Sequence, residues 1–390
     1  MPKLFESLTI RGVTARNRTM VSPMCMYMAE QGMANDYHLV HLGRFALGGA
    51  GIVMAEATAI EPEGRIAHGD LGLWNDGQGE ALARVAAFIS EYGAVPGIQL
   101  AHAGRKASCR SAAAGGDPLG ATDAAAGEPP WQIVGPSALA AGPEWPVPVA
   151  WTTEEVEASI DRWASAARRA VQAGFKVIDL HGGHGYLLHS FQSPISNRRI
   201  DKFGGNPGGR MAYPLAVVRA VREAIGEDVA LFYRISATEG VAGGVGVGES
   251  IVFAKELRTA GVDLIDVSSG GVSTDRSVDA RVRRGYAFHA DLSRDIREGS
   301  GMPVATVGLI VDPHQAEAVL DHGEADIVAL GREMLENSQW PHHARLALMS
   351  DHAAWHDEVR WALELRAAGR ARLAHLGETP MTRYDERSNN

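Results

Sequence analysis

The sequence predicts an α/β fold, a (β/α)8 TIM barrel, because eight short β-branched runs alternate in register with amphipathic stretches that stop at glycines. The alternation extends over about 330 residues of a 390-residue chain, long enough for one closed barrel. An open doubly wound sheet is the alternative that the same alternation allows.

In chain order the strands are read at Thr19 to Pro23, Gly51 to Ala55, Val95 to Gln99, Lys176 to Leu180, Ala230 to Ile235, Asp263 to Val267, Val304 to Val307 and Asp326 to Leu330. Between the second and third, Leu82, Val85, Phe88, Ile89 and Tyr92 recur at helical spacing and stop at Gly93. After the third strand the stretch Ser108 to Ala150 is rich in Ala, Gly and Pro and shows no sustained period. It is expected to be an excursion forming a rim or lid over the barrel mouth, with a plain solvent loop as the alternative. Thr152 and Glu155 then form a possible capping box before Val156, Ile160, Trp163 and Ala167, and Gly174 punctuates the entry to the fourth strand. Leu215, Val218, Val221 and Ile225 mark the next helix, stopped by Gly226. Gly261 and Gly323 repeat the punctuation, and Asp312 with Pro313 reads as N-cap and first helical residue. Trp340 to Leu376 reads as helical and Gly377 to Asn390 as a polar tail. Residues 1–340 are therefore expected to form the barrel, with 108–150 as its excursion, and 341–390 a C-terminal helical extension and tail.

Composition narrows the function classes. Hydrophobic residues make up 45% and charged residues 22%, and no apolar run approaches the roughly 20 residues of a helical span, so no membrane insertion is expected. Two cysteines, Cys25 and Cys109, make no disulfide framework, and MPKLFESLTI lacks a basic-then-apolar secretory pattern. A cytoplasmic location is the expectation. The net charge of -10 leaves no footprint for a polyanion, so the expected partners are small molecules and not nucleic acid.

A barrel of this kind carries its chemistry at the C-terminal ends of the strands. Strand one is followed by Ser22, Pro23, Met24, Cys25 and Tyr27; strand two by Glu56, Ala57 and Thr58; strand three by Gln99, His102, Arg105 and Lys106. Strand four leads to His181, His184 and Tyr186, strand five to Arg234, strand six to Ser268 to Gly271, strand seven to Gly308, and strand eight to Gly331 and Arg332. Bare backbone at Gly308 and Gly331 beside the Arg332 guanidinium suits a phosphate. Gln99 and Arg234 nearby can hydrogen-bond a conjugated ring, which suggests a phosphorylated cofactor. His181 and His184 can polarise a carbonyl oxygen by two N–H donors, with Tyr186 as proton donor. The other readings of the pair are a metal site, for which no third ligand has the spacing, and a core role for one imidazole. Cys25 reads as a cofactor-contacting thiol or a plain buried one. The glycines from 243 to 248 read as a loop, since their spacing is wrong for a dinucleotide fingerprint.

These residues resemble the Old Yellow Enzyme family of flavin-dependent ene-reductases, in its thermophilic-like and xenobiotic-reductase class. The resemblance runs from LFESLTIRGVTARNR to LGREMLENSQW, through SPMCMY, EATA, QLAHAGRKAS, HGGHGYLLHSFQSPISNRRIDKFGG and ALGRE. It implies a non-covalent FMN lined by Pro23, Met24 and Ala57, with Cys25 tuning it. Gln99 and Arg234 would meet its pyrimidine edge, and Gly308, Gly331 and Arg332 its phosphate. It also implies ping-pong hydride transfer from NADPH or NADH to an activated alkene, whose oxygen Tyr27, His181 and His184 would bind and whose carbon Tyr186 would protonate. A homodimer or homotetramer is implied too, with Tyr384 and Arg387 as candidates to reach a neighbouring subunit. Oxidative demethylation or another flavin-linked dehydrogenation is the alternative inside the family, and a metal-dependent barrel hydrolase the alternative outside it. The loop from Thr238 to Gly248 departs from the family pattern by its glycine content.

Overall fold

A computed structural model of the chain describes residues 1–275, 282, 284–350 and 355–382. Tyr384 and Arg387 lie outside the described residues. Eight parallel strands close into a barrel: β1 (Thr19–Val21), β2 (Ile52–Ala59), β3 (Val95–Ala101), β4 (Val177–Gly182), β5 (Ala230–Ser236), β6 (Leu264–Ser268), β7 (Val304–Thr306) and β8 (Ile327–Leu330). Each falls on one of the runs read from the sequence, so the fold is the TIM barrel and not the open sheet. The crossover helices are α1 (Asp36–Leu47), α2 (Asp76–Glu91), α3 (Thr153–Gln172), α4 (Pro207–Ile225), α5 (Val247–Ala260), α6 (Ala290–Ser300), α7 (Pro313–Asp321) and α8 (Trp340–Met349).

Local chemistry sets the helix ends. Thr152 and Glu155 form the capping box of α3, and Asp312 caps α7 ahead of Pro313. Gly93, Gly174, Gly226, Gly261 and Gly323 all take positive φ where helix turns to strand, a conformation in which a Cβ would clash.

Side chains alternate along a strand, so every second residue enters the barrel. Counting from the N-terminal ends, Ile52, Met54, Val95, Val177, Ala230, Phe232 and Leu264 belong to one apolar interior cluster. That cluster is plugged from below by an N-terminal hairpin, Leu8–Ile10 with Val13–Ala15. The next inward positions are polar: Gln99, Asp179, Arg234 and Asp266, all buried. Above them stand His181 and Ser268. Period two thus carries β3 to β6 from an apolar floor through a polar layer to the mouth. The outward positions, among them Val53, Ile98, Ile178, Leu231 and Ile265, pack under the helices in a second and larger cluster.

β2 runs further than its sequence pattern predicts. Its register shifts between Ala55 and Ala57, so Glu56 is an extra residue in the strand and lies outside the simple alternation. The excursion after β3 also holds more structure than its composition suggests: short helices at Ala112–Ala114 and Ala121–Ala125, and a pair of two-residue strands, Val134–Gly135 with Val149–Ala150. The expected long C-terminal helix is instead α8, ending at a left-handed Ser350, and α9 (Asp357–His375). Trp340 of α8 is buried and donates to the Val311 carbonyl at 2.8 Å, whereas α9 buries no residue. Among the described residues no helix is long and apolar enough to cross a membrane.

Candidate active site

The loop after β1 is held from two sides. Ser22 N donates to the Leu330 carbonyl at 2.9 Å, and Met26 N donates to Glu56 Oε2 at 3.1 Å. Tyr27 sits at φ +58°, and a Cβ on the adjoining Gly69 would meet the Tyr27 carbonyl oxygen at 2.2 Å. Glycine is required there. Cys25 is half-buried as a residue and its thiol pKa is pushed well up by burial first, then by Asp70 and Glu56, so it stays a neutral thiol. Burial and then Asp70 lift the Glu56 carboxyl to about 8.

The loop after β4 carries the histidines. His181 Nδ1 accepts from Gly183 N at 3.3 Å, which leaves the proton on Nε2. That Nε2 faces His184 Nδ1 at 3.3 Å, and His184 Nε2 lies 2.7 Å from Ser268 Oγ. Burial, followed by the charge of Arg234, pushes both imidazoles well below their ordinary pKa, so both are neutral. The Tyr186 ring meets His181 edge-on at 4.9 Å. Burial and then Cys25 raise its phenol, which keeps the proton in place.

Lys106, His189 and Glu239 anchor this loop. Lys106 Nζ donates to the carbonyls of His184 at 2.9 Å and Gly271 at 3.0 Å and lies 5.2 Å from the Tyr186 ring centre. Burial first, and then Arg105, lower that lysine to about 8. His189 Nδ1 accepts from Gly185 N at 2.7 Å, and its Nε2 lies 3.0 Å from buried Glu239. Glu239 Oε2 in turn accepts from Val245 N at 2.9 Å. Burial pulls the Glu239 pKa up, but the hydrogen bond and charge of His189 outweigh it and bring it below the usual range. The glycine-rich loop after β5 is thereby latched to the histidine loop.

At the ends of β7 and β8 lies a cavity of about 450 Å³ lined by Arg234, Ser268, Arg284, Gly308, Gly331 and Arg332, among others. Gly308 has φ +131°, and a Cβ there would meet the Phe288 ring at 2.9 Å and His289 Nδ1 at 3.2 Å. Met24 approaches Gly331, its sulfur 3.6 Å from where a Cβ would stand. A second groove, about 550 Å³, lies between Leu346 and α9, away from the strand ends.

Every site residue picked from the sequence among the described residues is thus at the C-terminal end of the barrel. Pro23, Met24, Cys25 and Tyr27 follow β1, Ala57 and Gln99 lie in β2 and β3, and His181, His184 and Tyr186 end β4 or follow it. Arg234 lies in β5, Gly308 follows β7, and Gly331 and Arg332 follow β8. Sequence reasoning gave no role to Arg284, Glu56, Lys106 or Ser268. Arg284 lies in a basic run and Lys106 follows β3, which are usable signals; the bulge that turns Glu56 toward the first loop has none. Among the described residues no group of three or more His, Cys, Asp or Glu could hold a metal ion.

Fold and cavity together define a barrel enzyme built around a phosphorylated cofactor. A family model described as the NADH:flavin oxidoreductase / NADH oxidase family matches residues 3–350. The NADPH dehydrogenase of Geobacillus thermodenitrificans (strain NG80-2) is 40% identical over 343 residues, 87% of this chain and 93% of that protein. The old yellow enzyme homologue from Zymomonas mobilis superposes with a TM-score of 0.71 at 24% identity, over 90% of this chain and 93% of that one. A 2-naphthoyl-CoA reductase complex superposes at 0.77 and 24% identity over 90% of this chain, which spans about half, 52%, of that longer chain. At these identities the two structures speak for the fold. The chain belongs to the NADH:flavin oxidoreductase / NADH oxidase family, and is an NAD(P)H-dependent flavin oxidoreductase whose cofactor is FMN.

The residues present fit that cofactor. Arg234 Nε and Ser22 Oγ are buried with no partner in the protein, an expensive state that a polar guest relieves. The cradle at Gly308 has room for backbone approach but not for a side chain.

Proposed function

We propose that this oxidoreductase reduces activated C=C bonds of α,β-unsaturated carbonyl or nitro compounds with NAD(P)H by ping-pong hydride transfer. The observation that carries the reading is the pair of neutral imidazole nitrogens of His181 and His184, 3.3 Å apart and facing each other beside Tyr186. Held in this site, FMN would supply the hydride chemistry that links the nicotinamide to the electron-poor alkene carbon. The protein's own work is to hold, polarise and protonate.

Ser268 makes the histidine pair adjustable. With the site empty of substrate, His181 Nε2–H donates to His184 Nδ1, and His184 Nε2–H donates to Ser268 Oγ. An oxygen placed between the imidazoles reverses the second link: the serine hydroxyl donates to Nε2, and Nδ1 carries the proton. The substrate oxygen then receives two N–H bonds, and the negative charge that grows on it is offset in a site shielded from water. Neutral imidazoles suit this role because each gives a donor without needing a counter-charge. Tyr27 adds a phenol on the opposite loop. Tyr186, too weakly acidic to ionise, gives its proton to the adjacent carbon as the enolate-like charge forms.

In the same reading Pro23, Met24, Cys25 and Ala57 line the isoalloxazine, Gln99 and Arg234 meet its pyrimidine edge, and Gly308, Gly331 and Arg332 hold the phosphate, joined by Arg284. The excursion 108–150 serves as a rim, supported by Arg105 Nη1 donating to the Ala140 carbonyl at 3.0 Å and Thr274 N to the Ala141 carbonyl at 2.9 Å. The reading also carries a cytoplasmic homodimer or homotetramer.

The deciding experiment is the visible spectrum of the purified protein under anaerobic addition of NADPH and then a cyclic enone. Flavin bands that bleach with the first and return with the second support the assignment. Bands that bleach but are restored only by oxygen, across enones and nitroalkenes alike, would defeat it.

A further inference from the structure

Beneath the mouth of the barrel lies a buried polar layer. Gln99 and Asp179 are register partners on β3 and β4, both nearly inaccessible, and Gln99 Nε2 donates to Asp179 Oδ2 at 2.7 Å. Asp266 on β6 faces Arg234 Nη1 at 3.3 Å. Asp179 Oδ1 and Asp266 Oδ1 have no hydrogen-bond donor in the protein, and Asp266 Oδ2 meets Arg234 as an ion pair without hydrogen-bond geometry.

Two buried carboxyl groups share one guanidinium, so full ionisation would leave an uncompensated buried charge. Burial raises both acids, and mutual repulsion lifts Asp179 further, to about 8. The pair retains a proton at neutral pH. A proton on Asp179 Oδ2 would point into the Gln99 N–H, so it sits on one of the oxygens that lack a donor. Asp179 Oδ2 is therefore an acceptor in either charge state.

A carboxamide beside a fixed acceptor has its orientation settled: NH2 turns to the acceptor and the carbonyl turns away. We propose that Asp179 is a positioning residue that locks the Gln99 amide so that Oε1 is presented as an acceptor to the imide N–H of the flavin pyrimidine. Arg234 beside it, a donor only, then matches the neighbouring ring carbonyl. The two side chains together form a donor and acceptor pair complementary to that edge. This rests on the reading that places the pyrimidine against Gln99 and Arg234.

The test is FMN affinity, measured by quenching of flavin fluorescence on titrating apoprotein, in a double-mutant cycle with Asp179→Asn and Gln99→Leu. Thermal melting of each apoprotein serves as the fold control. In Asp179→Asn the new side chain can offer either end of its amide, so the lock is lost without a change of volume. Each single substitution is expected to weaken FMN about tenfold, and the double no more than Gln99→Leu alone, because they break one interaction. An N3-methyl flavin analogue gives a second readout. Wild type should discriminate against it, and Asp179→Asn should lose most of that discrimination, whereas a merely structural loss weakens both flavins equally. Additive losses with undiminished discrimination would overturn the role of Asp179. If Asp179→Asn does not fold, Asp179→Glu, which keeps the acceptor, must retain the discrimination, and its failure to do so counts against the lock. If Gln99→Leu itself leaves FMN affinity and discrimination unchanged, the placement of the pyrimidine fails instead.

Discussion

At the residue scale, the proposed reaction gives proton delivery to Tyr186 and lets Ser268 adjust the oxygen-binding pair. Tyr186→Phe removes one hydroxyl and should slow re-oxidation by alkene at least about a hundredfold, while reduction by NADPH stays within about twofold. Stopped-flow measurement of the two half-reactions checks this, and equal slowing of both would remove the tyrosine from its role. Ser268→Ala takes away the group that lets His184 exchange tautomers. It should weaken a bound phenol or enone about tenfold, read from the change in flavin absorbance on titration. An unchanged affinity would mean that His184 donates without help. His181, His184 and Tyr186 stood out in the sequence as candidates because they end or follow one strand in close succession. The serine was not singled out, since its importance comes from a contact across 84 residues.

At the element scale, β2 and the loop after β4 show how the scaffold constrains the site. Glu56 has its carboxyl raised from 4.5 to about 8 in the fold, so between those values the native state holds a proton that the unfolded chain has released. Its contribution to stability is complete below pH 4.5 and is lost as pH rises through 8. Glu56→Gln, which keeps an acceptor for Met26, should therefore gain on wild type by a few degrees in Tm between pH 5 and pH 8, and a flat difference would contradict this. Glu239→Ala leaves the buried His189 Nε2 and Val245 N without their acceptor and should cost about 1–3 kcal/mol in chemical denaturation. A loss under 1 kcal/mol would show that the latch does little. Strand positions were legible from period and punctuation, as Gly174 and Gly261 illustrate. The bulge at Glu56 and the small strands inside 108–150 were not, because both depend on what a neighbouring segment offers.

At the scale of the whole molecule, stability and chemistry come from different layers. The outer cluster under the helices and the apolar interior floor hold the barrel together, while the rim supplies the reactive groups. Helix α9 adds to neither, since it buries no residue. A chain ending at His356, which keeps Trp355 stacked on buried His342, should keep its flavin spectrum and melt within about two degrees of the full protein, as differential scanning calorimetry would reveal. A larger drop would show that the extension supports the barrel. The eightfold alternation made the overall architecture readable, yet the hairpin at the bottom escaped notice, its short strands being too brief to register as a pattern. Packed side chains already fill the barrel, and the hairpin covers the lower end of that packing like the base of a cup. With the floor sealed by Leu8, Ile10, Val13 and Ala15, every guest must arrive and depart through one doorway. In the proposed ping-pong reaction the two visitors take turns at it, and a surplus of either keeps the other waiting outside.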